Sequence, residues 1–445
     1  MKKRAHKRFI AFFVMAIMLI STLSIPANAS AEDTLDIHAD AAIVVEASTG
    51  KILYAKNEDT ALGIASMSKM MTEYLMFEAI KDKKIKWDQQ QVISDYVHEV
   101  SIDTNLSNVP LEAGKKYTIR QLYEAMAIYS ANGATIALAE AIAGSEKKFV
   151  NMMNAKAKEL GLENYKFVNS TGLNNKDLKG KHPEGTDADD ENIMSARAMA
   201  KLGSRLLNDY PEVLETTSIP EKDFPGMPGK MKNWNWMLPS LIFGYEGVDG
   251  LKTGTTDFAG YCFTGTAKKN DMRIITVVMN AKGKNGKGNY DSRFVETKKM
   301  MDYAFNNFSM KEIYPDKYKV KGHDSLPVIN GKEKKVSIQS DAPIQVVLKN
   351  GEEKSYKPEF KVDKKVLNKD GQLTAPVKKG EKVGTLETKY EGETDYGYIG
   401  KPASANIVTT EKIDKANWFI LSMRSIGGFF GDVWHSAAKT VKGWF

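Results

Sequence analysis

Strand-like sequence at two distant places, with helix-like sequence between them, is the feature that most limits how this chain can fold. Residues 41–56 read AAIVVEASTGKILYAK, two apolar runs flanking Ser48-Thr49-Gly50, which is a β-hairpin pattern. Residues 248–255 form another strand-like run, and 259–267 and 272–280 alternate around Lys268-Lys269-Asn270-Asp271 as a second hairpin. Helical spacing fills the interval. Met70, Tyr74 and Phe77 recur within 66–80. Thr118 and Gln121 form a capping box for a helix that carries Ile119, Leu122, Met126 and Tyr129 on one face. An apolar helix at 134–143 stops at Gly144, and another runs from Ser145 to a C-cap at Gly161. Further helices are expected near 195–208 and 294–307. Residues 162–240 otherwise show mainly loop signals, at Asn169-Ser170-Thr171-Gly172 and His182-Pro183-Glu184-Gly185. The terminal strands must pair with each other, which predicts an α+β domain over 32–310: one antiparallel sheet with helices on its faces.

The chain has 445 residues. One core rarely grows beyond about 250–300, so a second domain is expected. Short alternating runs at 335–339, 344–349 and 383–388, separated by Gly, Asn, Asp and Pro, predict a small all-β domain over 311–408. Residues 411–445 change again. Ile413, Ala416, Ile420, Met423, Gly427, Phe430, Trp434, Ala437, Val441 and Trp444 fall on one helical stripe. Trp418, Trp434 and Trp444 suit a membrane–water boundary, and Lys412, Lys415, Arg424, Lys439 and Lys442 can reach anionic headgroups. Recurring charges predict an amphipathic helix lying in the interface rather than spanning it. A helix packed on the protein itself, or on another copy, shares that pattern. Gly427-Gly428 weakens its middle.

At the other end, Lys2, Lys3, Arg4, Lys7 and Arg8 precede an apolar run over 9–20 and small residues with A-x-A patterns ending at Ala29 and Ala31. These are the parts of a secretory signal peptide, expected over 1–31 with cleavage after Ala31 or Ala29. Residues 1–31 hold five of the 63 Lys and Arg and none of the 56 acids, so the remainder carries +2. That near-neutral balance gives no electrostatic reason to expect nucleic acid. The six histidines, at 6, 38, 98, 182, 323 and 435, form no local zinc-ligand pair, and no metal or cofactor is expected. The one cysteine, Cys262, lies in a strand-like run and reads as a packing residue.

Three short motifs carry chemistry. In Ser66-Met67-Ser68-Lys69, one helical turn puts Lys69 on the same face as Ser66. A serine needs a base beside it, and a desolvated lysine near other cations can accept its proton. Ser130-Ala131-Asn132 lies between two helices, where a serine can relay a proton and an asparagine can bond a substrate amide or hold Lys69. Lys252-Thr253-Gly254-Thr255 lies on a strand, where an extended substrate could add through main-chain hydrogen bonds and Gly254 permits close approach of a ligand. Each motif alone is weak: a solvated helix end, an ordinary helix connection and an exposed strand would look the same.

The order S-x-x-K, S-x-N, K-T-G is the signature set of penicillin-binding proteins and serine β-lactamases. Over its whole length the chain resembles the low-molecular-mass penicillin-binding proteins that are D-alanyl-D-alanine carboxypeptidases. Ile64-Ala65-Ser66-Met67, Ser170-Thr171-Gly172-Leu173 and Asp249-Gly250-Leu251-Lys252-Thr253-Gly254 carry the resemblance too. It implies a serine β-lactamase/transpeptidase-like catalytic domain. It also implies Ser66 as nucleophile, Lys69 as base, Ser130 as proton relay and Asn132 on the substrate amide. Lys252 would supply positive potential and Thr253 would hold the terminal carboxylate. The N–H groups of Ser66 and Thr255 would form an oxyanion hole, and Arg293 would face the carboxylate. The implied partners are peptidoglycan stem peptides, β-lactam antibiotics and, through the tail, the outer face of the cytoplasmic membrane. A β-lactamase shares the motifs, but it reads S-D-N more often and needs neither the β domain nor the tail. A non-catalytic wall-binding protein would have no need of every candidate catalytic residue.

Overall fold

The structure, a computed structural model, describes residues 35–392, 394–418 and 422. The expected signal segment 1–31, and the expected tail helix beyond 418 save residue 422, lie outside the described residues.

Strands β1 (Ala41–Glu46) and β2 (Ile52–Lys56) open the fold. The helices that follow are α1 (Lys69–Lys81), α2 (Ile119–Tyr129), α3 (Asn132–Ala143), α4 (Glu146–Glu159) and α5 (Ala196–Asp209). The chain then returns through β3 (Val248–Thr256), β4 (Gly260–Lys269) and β5 (Met272–Met279) to α6 (Ser292–Asn307). The five strands form one antiparallel sheet in the order β3-β4-β5-β1-β2. The terminal strands do meet: β1 pairs β5 from Ala41 opposite Met279 to Glu46 opposite Ile274. All of β1 is buried, as its unbroken apolar run requires.

The capping box at Thr118 is present: Thr118 Oγ1 accepts from Gln121 N at 3.2 Å and Gln121 Oε1 accepts from Thr118 N at 2.9 Å. Helix α1 departs from a one-faced reading. Met70, Met71, Tyr74, Leu75, Met76 and Phe77 are all buried, because α1 runs through the centre with helices and sheet around it. Each such side chain contributes about 1.5–3 kcal/mol on burial. A helix at Asp95–Ser101, capped by Ser94, was not anticipated; seven residues are too few for periodicity to register.

The strand Phe308–Tyr314 follows α6 directly and pairs with Ile344–Lys349. A six-stranded sheet orders Tyr356–Val362, Lys382–Tyr390, Ser404–Thr409, Lys335–Ser340, Ser325–Ile329 and Leu373–Thr374. Leu326, Val336, Ile338, Val346, Leu386 and Ile407 form its core. Two residues of the expected helical stripe are tied to this domain instead, and Ile413 is part of its core. Ile413 is 1% exposed and exchanges backbone hydrogen bonds of 2.9 Å with Val377, and Ala416 N donates to Asn330 O at 2.8 Å. Backbone pairing holds both to the β domain and the Ile413 side chain completes its core, so a helix can begin only after them. Among the described residues no helix is long and apolar enough to cross a membrane.

The β-rich region returns to the first hairpin. Ile52 N donates to Gly397 O at 3.0 Å and Ile399 N donates to Gly50 O at 2.9 Å. Lys51 is buried between the rings of Tyr390 and Tyr398, with its ammonium on Asp395.

Candidate active site

A short strand, Leu62–Gly63, turns at once into the 3-10 turn Ala65–Ser68, from which α1 continues. Ala65 has φ of 45°, in the left-handed region that a Cβ disfavours. The surroundings hold it there: Ser68 Oγ donates to Ala65 O at 2.7 Å, and Asn192 Nδ2 donates to Ser68 Oγ at 2.9 Å. In this turn Ala65, Met67 and Ser68 are buried and Ser66 keeps partial exposure.

Lys69 is wholly buried. Its Nζ lies 2.8 Å from Ser66 Oγ, 2.8 Å from Asn132 Oδ1 and 2.8 Å from Thr171 O. Two of these partners can only accept, whereas a hydroxyl can also donate. A neutral amine has two N–H groups and one lone pair. It can therefore donate to Asn132 and Thr171 while its lone pair faces the Ser66 hydroxyl. Burial, and after it the charge of Lys252, pushes the Lys69 pKa well below the lysine range and favours that neutral form.

Asn132 opens α3. Its N and Nδ2 both donate to Ser107 O at 3.0 Å, which turns Oδ1 toward Lys69. Ser130 caps the end of α2 at φ 60° and is 4% exposed; its hydroxyl has no hydrogen bond to another described residue. Thr171 contributes through its backbone. Asn169 Oδ1 accepts from Thr171 N at 3.1 Å and Gly172 N at 2.7 Å, and Thr72 Oγ1 donates to Ser170 O at 3.0 Å. The Asn-Ser-Thr-Gly run was legible as a loop, but nothing in it announced a carbonyl ligand for Lys69.

Lys252, Thr253, Gly254 and Thr255 lie on β3, an edge strand paired only with β4 among the described residues. A Cβ on Gly254 would stand 2.5 Å from Ile64 O and 3.1 Å from Met67 N. Gly254 thus admits the chain's own Ser66 turn, a different use from the ligand approach expected of it. Lys252 and Thr253 are 3% and 6% exposed, and Lys252 Nζ donates to Thr253 O at 3.1 Å. Burial lowers the Lys252 pKa to about 7; Glu73 opposes that shift and Arg293 adds to it.

Arg293, on α6, is 2% exposed. Its Nη1 donates to Thr255 Oγ1 at 2.9 Å, Gly254 O at 3.1 Å and Cys262 O at 3.2 Å, and its Nε to Tyr290 O at 3.2 Å. The guanidinium braces the strand and reaches the cleft through Thr255. Nη2 has no hydrogen bond to a described residue. Cys262 is fully buried, and burial pushes its thiol up to about 11, as suits a packing residue. Among the described residues no group of three or more His, Cys, Asp or Glu side chains is placed to hold a metal.

The elements thus bring Ser66, Lys69 and Asn132 into direct contact and set Lys252 to Thr255 against the same turn. An activated hydroxyl beside buried cations suits acyl transfer from a substrate that bears a negative charge.

The chain is similar to known proteins along most of its length. A family profile described as D-alanyl-D-alanine carboxypeptidase matches residues 27–283, and one described as penicillin-binding protein 5, C-terminal domain, matches 308–415. The chain is 33% identical to the D-alanyl-D-alanine carboxypeptidase DacF of Bacillus subtilis, over 95% of this chain and 98% of that one. It is 32% identical to DacC of Escherichia coli, over 94% and 93%. Among solved structures it is similar to penicillin-binding protein 3 of Streptococcus pneumoniae, with a TM-score of 0.71 and 38% identity over 85% of this chain and all of that one. It is also similar to penicillin-binding protein 5 of Haemophilus influenzae, with a TM-score of 0.67 and 27% identity over 85% and 98%.

Proposed function

The chain belongs to the D-alanyl-D-alanine carboxypeptidase family, and from that premise we propose how its own residues carry the reaction. It is a serine D-alanyl-D-alanine carboxypeptidase, a penicillin-binding hydrolase of the cell wall. Ser66 Oγ attacks the carbonyl between the two terminal D-alanines of a peptidoglycan stem peptide while Lys69 takes its proton. Ser130 passes a proton to the departing D-alanine nitrogen, leaving an ester on Ser66. The N–H groups of Ser66 and Thr255 stabilise the oxyanion. Asn132 holds Lys69 and bonds the substrate amide. Lys252, Thr253 and Thr255, the last braced by Arg293, receive the terminal carboxylate. Water then attacks the ester and frees the shortened peptide. A penicillin acylates Ser66 in the same way, but its leaving nitrogen stays tethered.

One observation carries this reading: the Lys69 nitrogen, wholly buried, shares its hydrogen bonds among Ser66, Asn132 and Thr171 in the geometry a neutral amine needs to act as base. Release of free D-alanine from a pentapeptide ending in D-Ala-D-Ala tests it. Wild type should release D-alanine and bind penicillin covalently, and Ser66→Ala should do neither; covalent labelling of Ser66→Ala would sink the assignment.

For location, we read 1–31 as an export signal and the segment after Trp418 as an interfacial anchor at the outer face of the cytoplasmic membrane, with 32–310 as catalytic domain and 311–408 as a spacer. Because Ile413 belongs to the β core and Ala416 is hydrogen-bonded to Asn330, truncation after Trp418 is the cleaner test. The shortened protein should no longer sediment with anionic vesicles, and sedimentation as before would remove the anchor from the account.

A further inference from the structure

The run Asn233-Trp234-Asn235-Trp236 is used alternately by the fold. Both asparagines are buried. Asn233 Nδ2 donates to Thr217 O at 3.0 Å and Ile219 O at 2.9 Å, and Asn235 Nδ2 donates to Gly250 O, on β3, at 3.2 Å. The two indoles between and after these anchors keep partial exposure. Trp234 Nε1 donates to Tyr129 O at 3.2 Å, which sets the ring beside the residue that precedes Ser130. Trp236 and Tyr290 stack against Trp234, with ring centres 6.3 and 6.2 Å away and planes tilted by 23° and 22°. Tyr290 is 44% exposed, and its ring centre lies 5.2 Å from the Arg293 guanidinium carbon. Arg293 Nη1 in turn donates to Thr255 Oγ1 at 2.9 Å. The three rings therefore form a wall that begins beside Ser130 and ends beside Arg293 and Thr255.

A contiguous aromatic surface left open to solvent marks a binding face more often than a neutral one. Its place in the cleft identifies the occupant. Ser130 serves the departing nitrogen, and Thr255, braced by Arg293, serves the terminal carboxylate. Both groups belong to the last residue of the substrate, on one α-carbon. The wall runs between the two protein groups that hold them, so it borders the remaining substituent of that carbon, the side chain. We propose that Trp234, Trp236 and Tyr290 form the side-chain subsite for the departing residue, and that the enzyme releases terminal D-amino acids with large apolar or aromatic side chains as well as D-alanine. The methyl group of D-alanine can cover only a small part of three rings, whereas a phenyl or leucyl group can lie along them and displace their water. Tyr290 stands at the solvent edge, so a longer side chain meets an open rim rather than a closed end. This inference rests on the reading of Ser130 and Thr255 as the groups that bracket the departing residue.

Two pentapeptides, one ending in D-Ala-D-Ala and one in D-Ala-D-Phe, test this by release of the last residue. Wild type should release D-phenylalanine with a kcat/KM within about tenfold of that for D-alanine. Tyr290→Ala removes the exposed ring and keeps the backbone carbonyl that accepts from Arg293 Nε. It should lower kcat/KM for the D-Phe peptide by about tenfold or more and for the D-Ala peptide by less than about twofold. Rings that only brace the strand would lower both alike, so equal losses overturn the proposal. Release of D-phenylalanine by wild type that is absent, or more than about tenfold slower than that of D-alanine, overturns it too. If wild type releases neither residue, the carboxypeptidase reading itself fails; if it releases D-alanine and the selectivity is the same in Tyr290→Ala, only the subsite fails. Should Tyr290→Ala not fold, product inhibition of wild type gives the same decision. Free D-phenylalanine should inhibit D-alanine release at a concentration about tenfold or more below that needed of free D-alanine, and equal inhibition by the two refutes the subsite.

Discussion

Gly172 lies so close beneath Ala65 that a Cβ on it would stand 1.8 Å from the Ala65 carbonyl oxygen. The loop that presents the Thr171 carbonyl to Lys69 therefore also presses on the turn that carries Ser66. Nucleophile and base are fixed by the same few atoms, which is how a site keeps its groups within the tolerance acyl transfer needs.

Gly172→Ala should consequently cost far more than its backbone angle alone. Gly172 has φ of +81°, and Gly286 has φ of +76° with nothing within 4 Å of an added Cβ. Gly286→Ala should lose about 1 kcal/mol for the angle. Gly172→Ala should lose several kcal/mol, on the order of 3 or more, and slow penicillin acylation at least 100-fold. Urea unfolding and stopped-flow acylation of both variants check this; equal losses would mean the contact with Ala65 is unimportant.

Asn132→Asp should act on the base. A carboxylate 2.8 Å from Lys69 Nζ opposes the lowering that burial and Lys252 produce, so the Lys69 pKa rises. A higher pKa leaves less neutral amine at a given pH. The acid limb of the acylation profile should move to higher pH, with the rate at neutral pH down by roughly 10–100-fold and recovering as pH rises. A limb that stays in place would argue against Lys69 as the titrating base.

Lys51 offers a test away from the cleft. Its ammonium pairs with Asp395 and lies 5.2 Å from the Tyr390 ring centre and 4.8 Å from that of Tyr398. Asp395 is 42% exposed and can turn to water, so removing the Lys51 charge mainly releases the tie that holds its loop and the cation contact of two rings. Lys51→Met should expose the 395–400 loop to limited proteolysis while kcat for D-alanine release stays within about twofold of wild type, since no catalytic group touches it. Unchanged cleavage at the loop would show that the backbone pairs at Gly50 and Ile52 suffice.

Sequence spacing reaches a good part of this architecture, for reasons visible in particular elements. The β1–β5 pairing follows from strands at both ends of a helical stretch, and the α2 cap follows from Thr118 and Gln121. Ser66 and Lys69 are one turn apart, so their contact is local. Thr171, by contrast, is 102 residues from Lys69 and acts through a carbonyl every residue possesses. Glu73 looked like any helical glutamate, because its burial depends on β3 closing over α1. The tail stripe misled at its start for a related reason. Ile413 and Ala416 match a helical period, yet Ile413 fills the β core and Ala416 pairs through its backbone with Asn330, and only tertiary contacts decide between the two readings.

Lys252 should make the protein less stable for the sake of its charge. In the unfolded chain it titrates at the ordinary 10.5, whereas burial draws it to about 7 in the fold. Between those values the unfolded state binds more protons, so stability rises with pH across that window, and the penalty is complete below pH 7. Lys252→Met removes the buried ammonium and loses one hydrogen bond, to Thr253 O. The variant should therefore be more stable than wild type at pH 6, by on the order of a few kcal/mol at most, with the advantage shrinking between pH 7 and 10.5. Its KM for the pentapeptide should rise at the same time. Urea unfolding at pH 6 and pH 9.5 measures both ends of the window. An advantage that is absent at pH 6, or grows toward pH 9.5, would mean that the buried lysine is already compensated in the resting enzyme.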